Sequence, residues 1–417
     1  MPGGRTVLAL AGVMSLDSAD QSTIGSTSPQ VRAALHIGQT QIGLLATSST
    51  IVGVLVTVPF GVLADRRNRL ALLRICIGAW ILATAAVGAA PSFAYMLGAH
   101  CVLGLVTGAA APLIASLVGD LVPRSARGRV YSVLLLGELV GSAVGTALSG
   151  EIAASVGWRW AYVVLAATGS TVLLTVFAVR EPPRSTARTA LLAETGADAA
   201  TMTLWQAIRV LVRIRTNVVL VLASALGYYY FTGVQTFAVS LWRDDYHVSA
   251  KVAPILVLAV GGALAVGVVI GGPLGDSLLR RGFRSGRVIA VLVAFGGCVL
   301  FLVPALSTTM LAVTVPLLLV AGVLLGSANP PLDATRIDIV PPLLLGRAEA
   351  VRNALRDGAD ASAPLLFGVL GSHIGLRPTF LVMTGALVAC LLLGLVALRT
   401  YAGDAAAAAG EPVDSNA

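Results

Sequence analysis

Two carboxylates, Asp17 and Asp20, lie three residues apart in a stretch that, apart from Gln21, is otherwise apolar, small or hydroxylated. On a helix that spacing puts both on one face, together with Thr27. An ionisable residue inside a long apolar segment costs about 2.5–3.5 kcal/mol on insertion scales, so it needs a reason to be there. For Asp20, and for Asp17 beside it, one reason is proton carriage. The other is a hydrogen bond or cap to a neighbouring helix. Glu138 and His100 stand in similar surroundings and are further candidates for moving a proton. A lone histidine on an apolar helix is as readily a packing residue whose ring nitrogen is satisfied locally.

A second group is cationic as well as acidic. Arg356 and Asp360 are four apart and can pair along one helix face, while Asp357 falls on another. Such a cluster either binds an anionic or zwitterionic headgroup or forms a structural ion pair. Asp333 could face the same cavity, with Arg336 and Asp338 nearer the membrane surface. Tyr228-Tyr229-Tyr230-Phe231 followed by Gln235 offers rings, chiefly Tyr229 and Tyr230, to a bulky apolar or cationic substrate. An aromatic belt at the membrane interface explains the same residues equally well.

The elements that hold these groups follow from composition. Of 417 residues, 57% are hydrophobic and only 12% charged. A soluble domain averages about 25% charged residues. Lipid is the solvent that tolerates such a surface, which excludes an ordinary soluble enzyme and a disordered chain. Twelve apolar runs are long enough to cross a bilayer: about 6–28, 42–64, 70–90, 93–118, 129–152, 160–179, 217–241, 252–274, 288–305, 309–333, 350–372 and 378–399. The four cysteines fall inside these runs and read as small buried hydrophobes. No Gly-x4-Gly-Lys-Ser phosphate loop is present, so ATP is not expected as the energy source.

An even number of spans puts both termini on one side. Arg66, Arg67, Arg69, Arg124, Arg127, Arg129, Arg280, Arg281, Arg284 and Arg287 crowd the loops on that side, whereas the opposite loops hold only Arg32, Arg159, Arg243, Lys251 and Arg377. Both termini are therefore expected in the cytoplasm. The longest connection, 180–216, ends in a basic amphipathic stretch around Leu204–Leu211, read as a helix on the inner membrane surface or an early start to the seventh span.

The two halves repeat each other. Gly61-Val-Leu-Ala-Asp65 matches Gly272-Pro-Leu-Gly-Asp276. Asp120-Leu-Val-Pro with Arg129 matches Asp338-Ile-Val-Pro with Arg347, and Gly157-Trp-Arg159 matches Gly375-Leu-Arg377, both at an offset of 218 residues (338 − 120, 375 − 157). The same offset sets Arg356 opposite Glu138. Parallel six-helix repeats about a midplane site are a secondary-transporter architecture. Gly61, Gly137, Gly141 and Gly145 would allow close helix approach.

Gly61 to Asp65, then Arg66-Arg67-Asn68-Arg69, resembles the loop 2–3 signature of the major facilitator superfamily, and the resemblance covers the whole chain. Pro59-Phe60-Gly61 is similar to the Spinster branch, and Asp20 with Pro29 to the first-helix motif of Spinster-like and drug:proton antiporter members. Thr146 stands where the antiporters' span-five motif has proline, and His100 where they carry arginine. The resemblance implies that Asp65, Arg66 and Arg69 join Asp120 and Arg129 in a gating network, with Gly272 and Asp276 as the second-half counterpart.

The expectation is an all-α membrane protein of twelve transmembrane helices in two parallel-repeat bundles: 1–179, a linker 180–216, 217–399 and a disordered tail 400–417. It would be a monomeric proton-coupled transporter of the inner (plasma) membrane, exporting hydrophobic or amphiphilic small molecules. Uptake or exchange of a small metabolite or lysolipid is the alternative within transport, and a transport-inactive sensor or scaffold the alternative outside it. Its partners would be substrate, protons and membrane lipids, with no nucleic acid, cofactor or metal.

Overall fold

In hydrocarbon each backbone polar group must be satisfied within its own segment, which leaves the helix as the spanning element. The computed structural model describes residues 4–66, 68–121, 124–179, 204–283, 285–340 and 344–409. They form thirteen helices: α1 Gly4–Leu35, α2 Gln39–Arg66, α3 Arg69–Gly88, α4 Phe93–Leu121, α5 Arg124–Ser155, α6 Trp158–Phe177, α7 Leu204–Arg213, α8 Arg215–Asp244, α9 Val252–Arg280, α10 Gly286–Ser307, α11 Leu311–Ile339, α12 Leu345–Ile374 and α13 Leu376–Ala409. All but α7 have membrane length, so the twelve expected spans are all present as helices. Among the described residues nine are long and apolar enough to cross a membrane on those grounds alone. The three outside that set, α1, α5 and α12, are the ones that carry Asp17 and Asp20, Glu138, and the charges of residues 349–360.

The chain divides into two compact units. One comprises Met1–Thr186, Gly233–Leu258 and Ala361–Leu376; the other comprises Ala187–Thr232, Ala259–Asp360 and Arg377–Ala417. Inside the first, glycines bring backbones into contact, because a helix face without side chains lets another helix axis approach. A Cβ on Gly137 would lie 2.6 Å from the Ala11 carbonyl, and one on Gly145 2.7 Å from the Ala19 Cα. Gly141, midway between them, packs on the Ser15 carbonyl, so α1 and α5 touch over two turns. Gly104 on Ser49 and Gly108 on Gly53 join α4 to α2 in the same way. In the second unit Gly267 and Gly271 of α9 meet Val323 and Ser327 of α11.

The repeat is visible as hardware. Gly157 (φ 118°) and Gly375 (φ 86°) turn the chain through a left-handed conformation that favours glycine. Two residues on, Arg159 Nη2 donates to the Ala90 carbonyl at 3.1 Å, and Arg377 Nε to the Leu306 carbonyl at 2.6 Å. Each arginine thereby satisfies a carbonyl at the end of a helix three spans earlier in its repeat.

One pair of alternatives is decided and one expectation is corrected. The amphipathic stretch is a separate ten-residue helix, α7, with Arg209 and Arg213 exposed and Leu211 buried, and not an early start to α8. Residues 180–203 of the linker lie outside the described part. The tail expected to be disordered from 400 continues as helix to Ala409. Thr400 Oγ1 lies 2.6 Å from Thr216 Oγ1, and the Asp404 carboxylate accepts from the Thr216 N–H at 2.8 Å. An acid on the first turn of α8 answers the unpaired N–H groups there, which is what holds these residues in order.

Candidate functional site

Glu349, Arg352, Arg356 and Asp360 follow one another on α12 at spacings of three, four and four residues. They form a charged stripe about 16 Å long on one face of a membrane-length helix. At one end the stripe meets α11. Arg352 Nη1 donates to Asp333 at 3.0 Å and Nη2 to Glu349; Arg336 Nη1 lies 3.5 Å from Asp333 and 3.4 Å from Glu349. Two arginines and two acids thus alternate around a ring, beside a cleft of about 250 Å³. The side chain of Arg336 is 5% exposed and that of Arg352 13%, while those of the two acids are nearly half exposed. Charges this far out of water require paired partners, and the alternating signs supply them.

At the other end the stripe meets α8. The Arg356 guanidinium carbon sits 3.8 Å from the centre of the Tyr228 ring, and Thr232 Oγ1 donates to Asp360 at 2.5 Å. The expected Arg356–Asp360 pair does not form: α8 offers a π face and a hydroxyl at the right height, and each charge takes that partner. Asp357 is half-buried beside them. The aromatic candidates shift by one. Tyr228 meets Arg356, whereas Tyr230 is buried edge-on against Phe380 with centroids 6.3 Å apart. Tyr229 is half-buried. Gln235 belongs to the first unit, where its carbonyl packs on Gly25.

The acids of the first unit stand differently. Asp17 accepts a 3.3 Å hydrogen bond from Gln21 and lines an apolar cleft with Val13, Leu73, Trp80 and Val106. Asp20 has no hydrogen-bond or ion-pair partner among the described residues and adjoins Ala19, which packs on Gly145. Glu138 is half-buried on α5 between Gly137 and Gly141, two of the residues that touch α1. His100 is buried, and its Nδ1 donates to the Met96 carbonyl of its own helix at 2.9 Å.

Of the gating residues, the side chains of Gly61, Asp65, Arg66, Asp120 and Arg129 lie outside the described part. Arg69 is buried at the head of α3, after Asn68, whose side chain caps the Ala71 N–H. The second-half counterpart is complete. Arg287 donates to Asp276 through Nε and Nη2 at 3.0 and 2.8 Å and to Asp338 through Nη1 at 2.5 Å, and the Tyr401 hydroxyl donates to Asp338 at 3.3 Å. Gly272, a turn earlier, packs near Pro330. Arg287 was not singled out from the sequence, although it is Arg69 moved by the repeat offset (287 − 69 = 218).

A second omission is a seam in the first unit. Arg32, at the end of α1, forms a 2.6 Å ion pair with Asp244 at the end of α8, and Gln39 donates to the same carboxylate at 3.1 Å. Ser28 and Ser240 share a 2.8 Å hydrogen bond, as do Thr40 and Ser372 at 3.0 Å. Gly25 and Gly43 pack on the carbonyls of Gln235 and Pro364, and Lys251 pairs with Glu151 at 3.2 Å. First-half helix ends are therefore joined to second-half ends at three places: α1 with α8, α2 with α12, and α5 with α9. The signal was available as opposite charges at the ends of the first and seventh spans.

The family description that fits this chain, Major Facilitator Superfamily, matches residues 10–361. The chain is 25% identical over 422 residues to Protein spinster homolog 1 of Xenopus tropicalis, covering 94% of this chain and 78% of that one. It is 30% identical over 260 residues to the Sphingosine-1-phosphate transporter SPNS2 of Danio rerio, covering 60% and 49%. Its fold superposes with a TM-score of 0.84 on the crystal structure of a bacterial homolog to the human lysosomal transporter Spinster, in an inward-facing and unoccupied conformation. The identity there is 19%, and 97% of this chain and 99% of that one are covered.

Proposed function

Because this chain belongs to the major facilitator superfamily, and is thus a multi-pass membrane transporter of small molecules, we propose that it is a proton-coupled exporter of hydrophobic or amphiphilic compounds. The observation that carries this reading is the α12 stripe, which places Arg356 against Tyr228 and Asp360 against Thr232 inside a membrane-length helix. A half-buried cation with a ring at its side suits a molecule that has both a charged head and an apolar body. The named activity of the sphingosine-1-phosphate transporter, whose molecule is of that kind, supports the same substrate class.

Transport would proceed by alternating access. The seam formed by Arg32–Asp244, Ser28–Ser240 and Thr40–Ser372 would part in one half of the cycle. With both termini in the cytoplasm and the protein in a cell's inner membrane, the arrangement that the basic loops favour, this seam would close the outer side. Asp20 is the favoured proton carrier, since among the described residues it has no hydrogen-bond or ion-pair partner to release before taking up a proton, with Asp17, Glu138 and His100 as the other candidates. The gating role of Asp276 with Arg287 and Asp338 would close the opposite side, and Asp65, Arg69 and Asp120 would do the same in the first repeat. The protein would act as a monomer in contact with membrane lipids.

The test is flux through purified protein in vesicles, with and without an imposed pH gradient. The panel runs from alkyl phosphates and alkylamines to sugar acids. Gradient-driven movement of amphiphiles is expected. Gradient-independent exchange confined to small polar metabolites would replace this reading with facilitated uptake, and no flux of any compound would favour a sensor.

A further inference from the structure

A helix usually finds its N-terminal cap just before its first turn, as a Ser, Thr, Asp or Asn side chain that accepts from a first-turn N–H. α8 has none there: Val212, Arg213 and Ile214 precede Arg215, and none of them carries a side-chain acceptor. The acceptor comes from α13 instead. Asp404, 188 residues away in sequence, takes the Thr216 N–H at 2.8 Å. Thr400, one turn before it on the same face, shares a 2.6 Å hydrogen bond with the Thr216 hydroxyl. Thr216 is fully buried. The opening turn of α8 is therefore completed only while this part of α13 is in place.

The same turn of α13 also reaches the ion pairs at the end of α11. Tyr401 is buried, and its hydroxyl donates to Asp338 Oδ2 at 3.3 Å. Arg287 Nη1 meets that same oxygen at 2.5 Å, while its Nε and Nη2 hold Asp276. Between Thr400 and Asp404, α13 thus grips both the helix that carries Tyr228 and Thr232 and the acid that Arg287 holds. The sequence of the first repeat lacks these parts. Moved back by 218 residues, Thr400, Tyr401 and Asp404 fall on Pro182, Pro183 and Thr186, which offer neither a phenol nor a carboxylate.

We propose that Thr400, Tyr401 and Asp404 are positioning residues for transport: they strap the first turn of α8 to the Arg287–Asp338 gate of the second repeat, so that the two move together. The strap presupposes the gating role proposed above for Asp276, Arg287 and Asp338, but neither proton coupling nor a given substrate. Tyr401 and Asp404 are three apart on one turn of a rigid helix, so neither contact can shift without dragging or breaking the other. Parting Arg287 from Asp338 loosens the hold on α8, and a shift of α8 loosens Asp338. Tyr228 lies twelve residues beyond Thr216, about 18 Å along α8. The strap is thus a link by which an event at that ring reaches the gate, biasing an equilibrium that the ion pairs already set.

Hydrogen–deuterium exchange of the full chain in detergent tests the link, read in residues 216–222 of α8 and 334–340 at the end of α11. Tyr401→Phe keeps the ring and removes only the hydroxyl on Asp338, and Asp404→Ala removes only the acceptor on Thr216. Each should raise exchange in its own segment about two- to tenfold, the factor expected for one hydrogen bond. The strap requires each to raise exchange in the other segment too, which a local cap or a local gate contact would not do. Asp404→Asn, whose amide oxygen still caps, should stay near the parent at both ends. The strap is overturned if each variant acts only at its own end, or if neither acts at all. Arg287→Gln tests the gate separately, by alkylation of Ser277→Cys in a Cys101→Ser chain, the three other cysteines being buried. Faster alkylation together with purely local effects of the strap variants would keep the gate and discard the strap. Unchanged alkylation would discard the gate, and the strap with it.

Discussion

The α1–α5 and α8–α12 contacts occupy corresponding places in the two repeats and are built on opposite principles. Along α5, Gly137, Gly141 and Gly145 lay one backbone on another. The same positions 218 residues later are Leu355, Ala359 and Ala363, and the contacts of α12 with α8 run through side chains: Arg356 on Tyr228, and Asp360 with Thr232. Backbone packing leaves no room for a ligand and little freedom to slide. Side-chain contacts hold the helices while keeping polar groups available. One repeat thus closes this position with backbone and the other lines it with polar side chains, although both follow one pattern of spans.

The strongest way to break this contrast is to add bulk. Gly141→Val should cost at least about 1–3 kcal/mol, because its side chain meets the Ser15 backbone, which cannot yield as a side-chain tip can. Ala359→Val, its counterpart, should cost no more than about 0.5 kcal/mol. Thermal melts of the two purified variants check this, and equal losses would erase the distinction. Next in size is Asp20→Asn, a permanent copy of the protonated acid on the rigid pair. Gradient-driven flux in vesicles should fall to background while exchange at equal pH survives. Unchanged gradient dependence would move the proton to Glu138 or His100.

On the polar pair, Arg356→Ala removes an internal cation–π contact and should lower stability by about 0.5–2 kcal/mol, the range of such a contact, and weaken substrate affinity as well. Tyr228→Leu should lose a similar amount, and Tyr230→Leu should act on stability alone, since that ring packs on Phe380. Transport assays beside melts separate the two. The smallest effect is expected at the seam. Arg32→Gln breaks an ion pair whose side chains are 25% and 41% exposed, so stability should fall by less than about 1 kcal/mol. Labelling of a cysteine placed at Ser28 should nevertheless rise, because the latch biases an equilibrium more than it supports a fold.

Spans, repeat and loop signatures were legible because they are one-dimensional. Hydropathy marks where a helix crosses, and an offset of 218 carries Gly157-Trp-Arg159 onto Gly375-Leu-Arg377 with the same turn and the same arginine cap. What escaped depends on rotation about the helix axis. In lipid an apolar residue fits any face, so composition does not say whether Tyr228, Tyr229 or Tyr230 turns toward a charge. The Arg32–Asp244 pair escaped for another reason. Its members are 212 residues apart, and each alone reads as a loop charge. Asp333, Arg336, Glu349 and Arg352 were half visible: their spacing on two helices was in the sequence, but the closing of the ring needed the crossing of α11 and α12.

The two arginine caps bear on how such a chain is made. Arg159 reaches the Ala90 carbonyl and Arg377 the Leu306 carbonyl, and in both cases the arginine opens the sixth helix of its repeat. During synthesis the third helix of each repeat therefore waits, with a bare carbonyl end, until the sixth has been threaded into the bilayer. Each six-helix half carries its own closing device and needs none from the other. Severed within 180–203 and produced as two polypeptides, the halves should each reach the membrane in a protease-resistant form, whereas a chain stopped before Trp158 should be cleared by the cell's quality control.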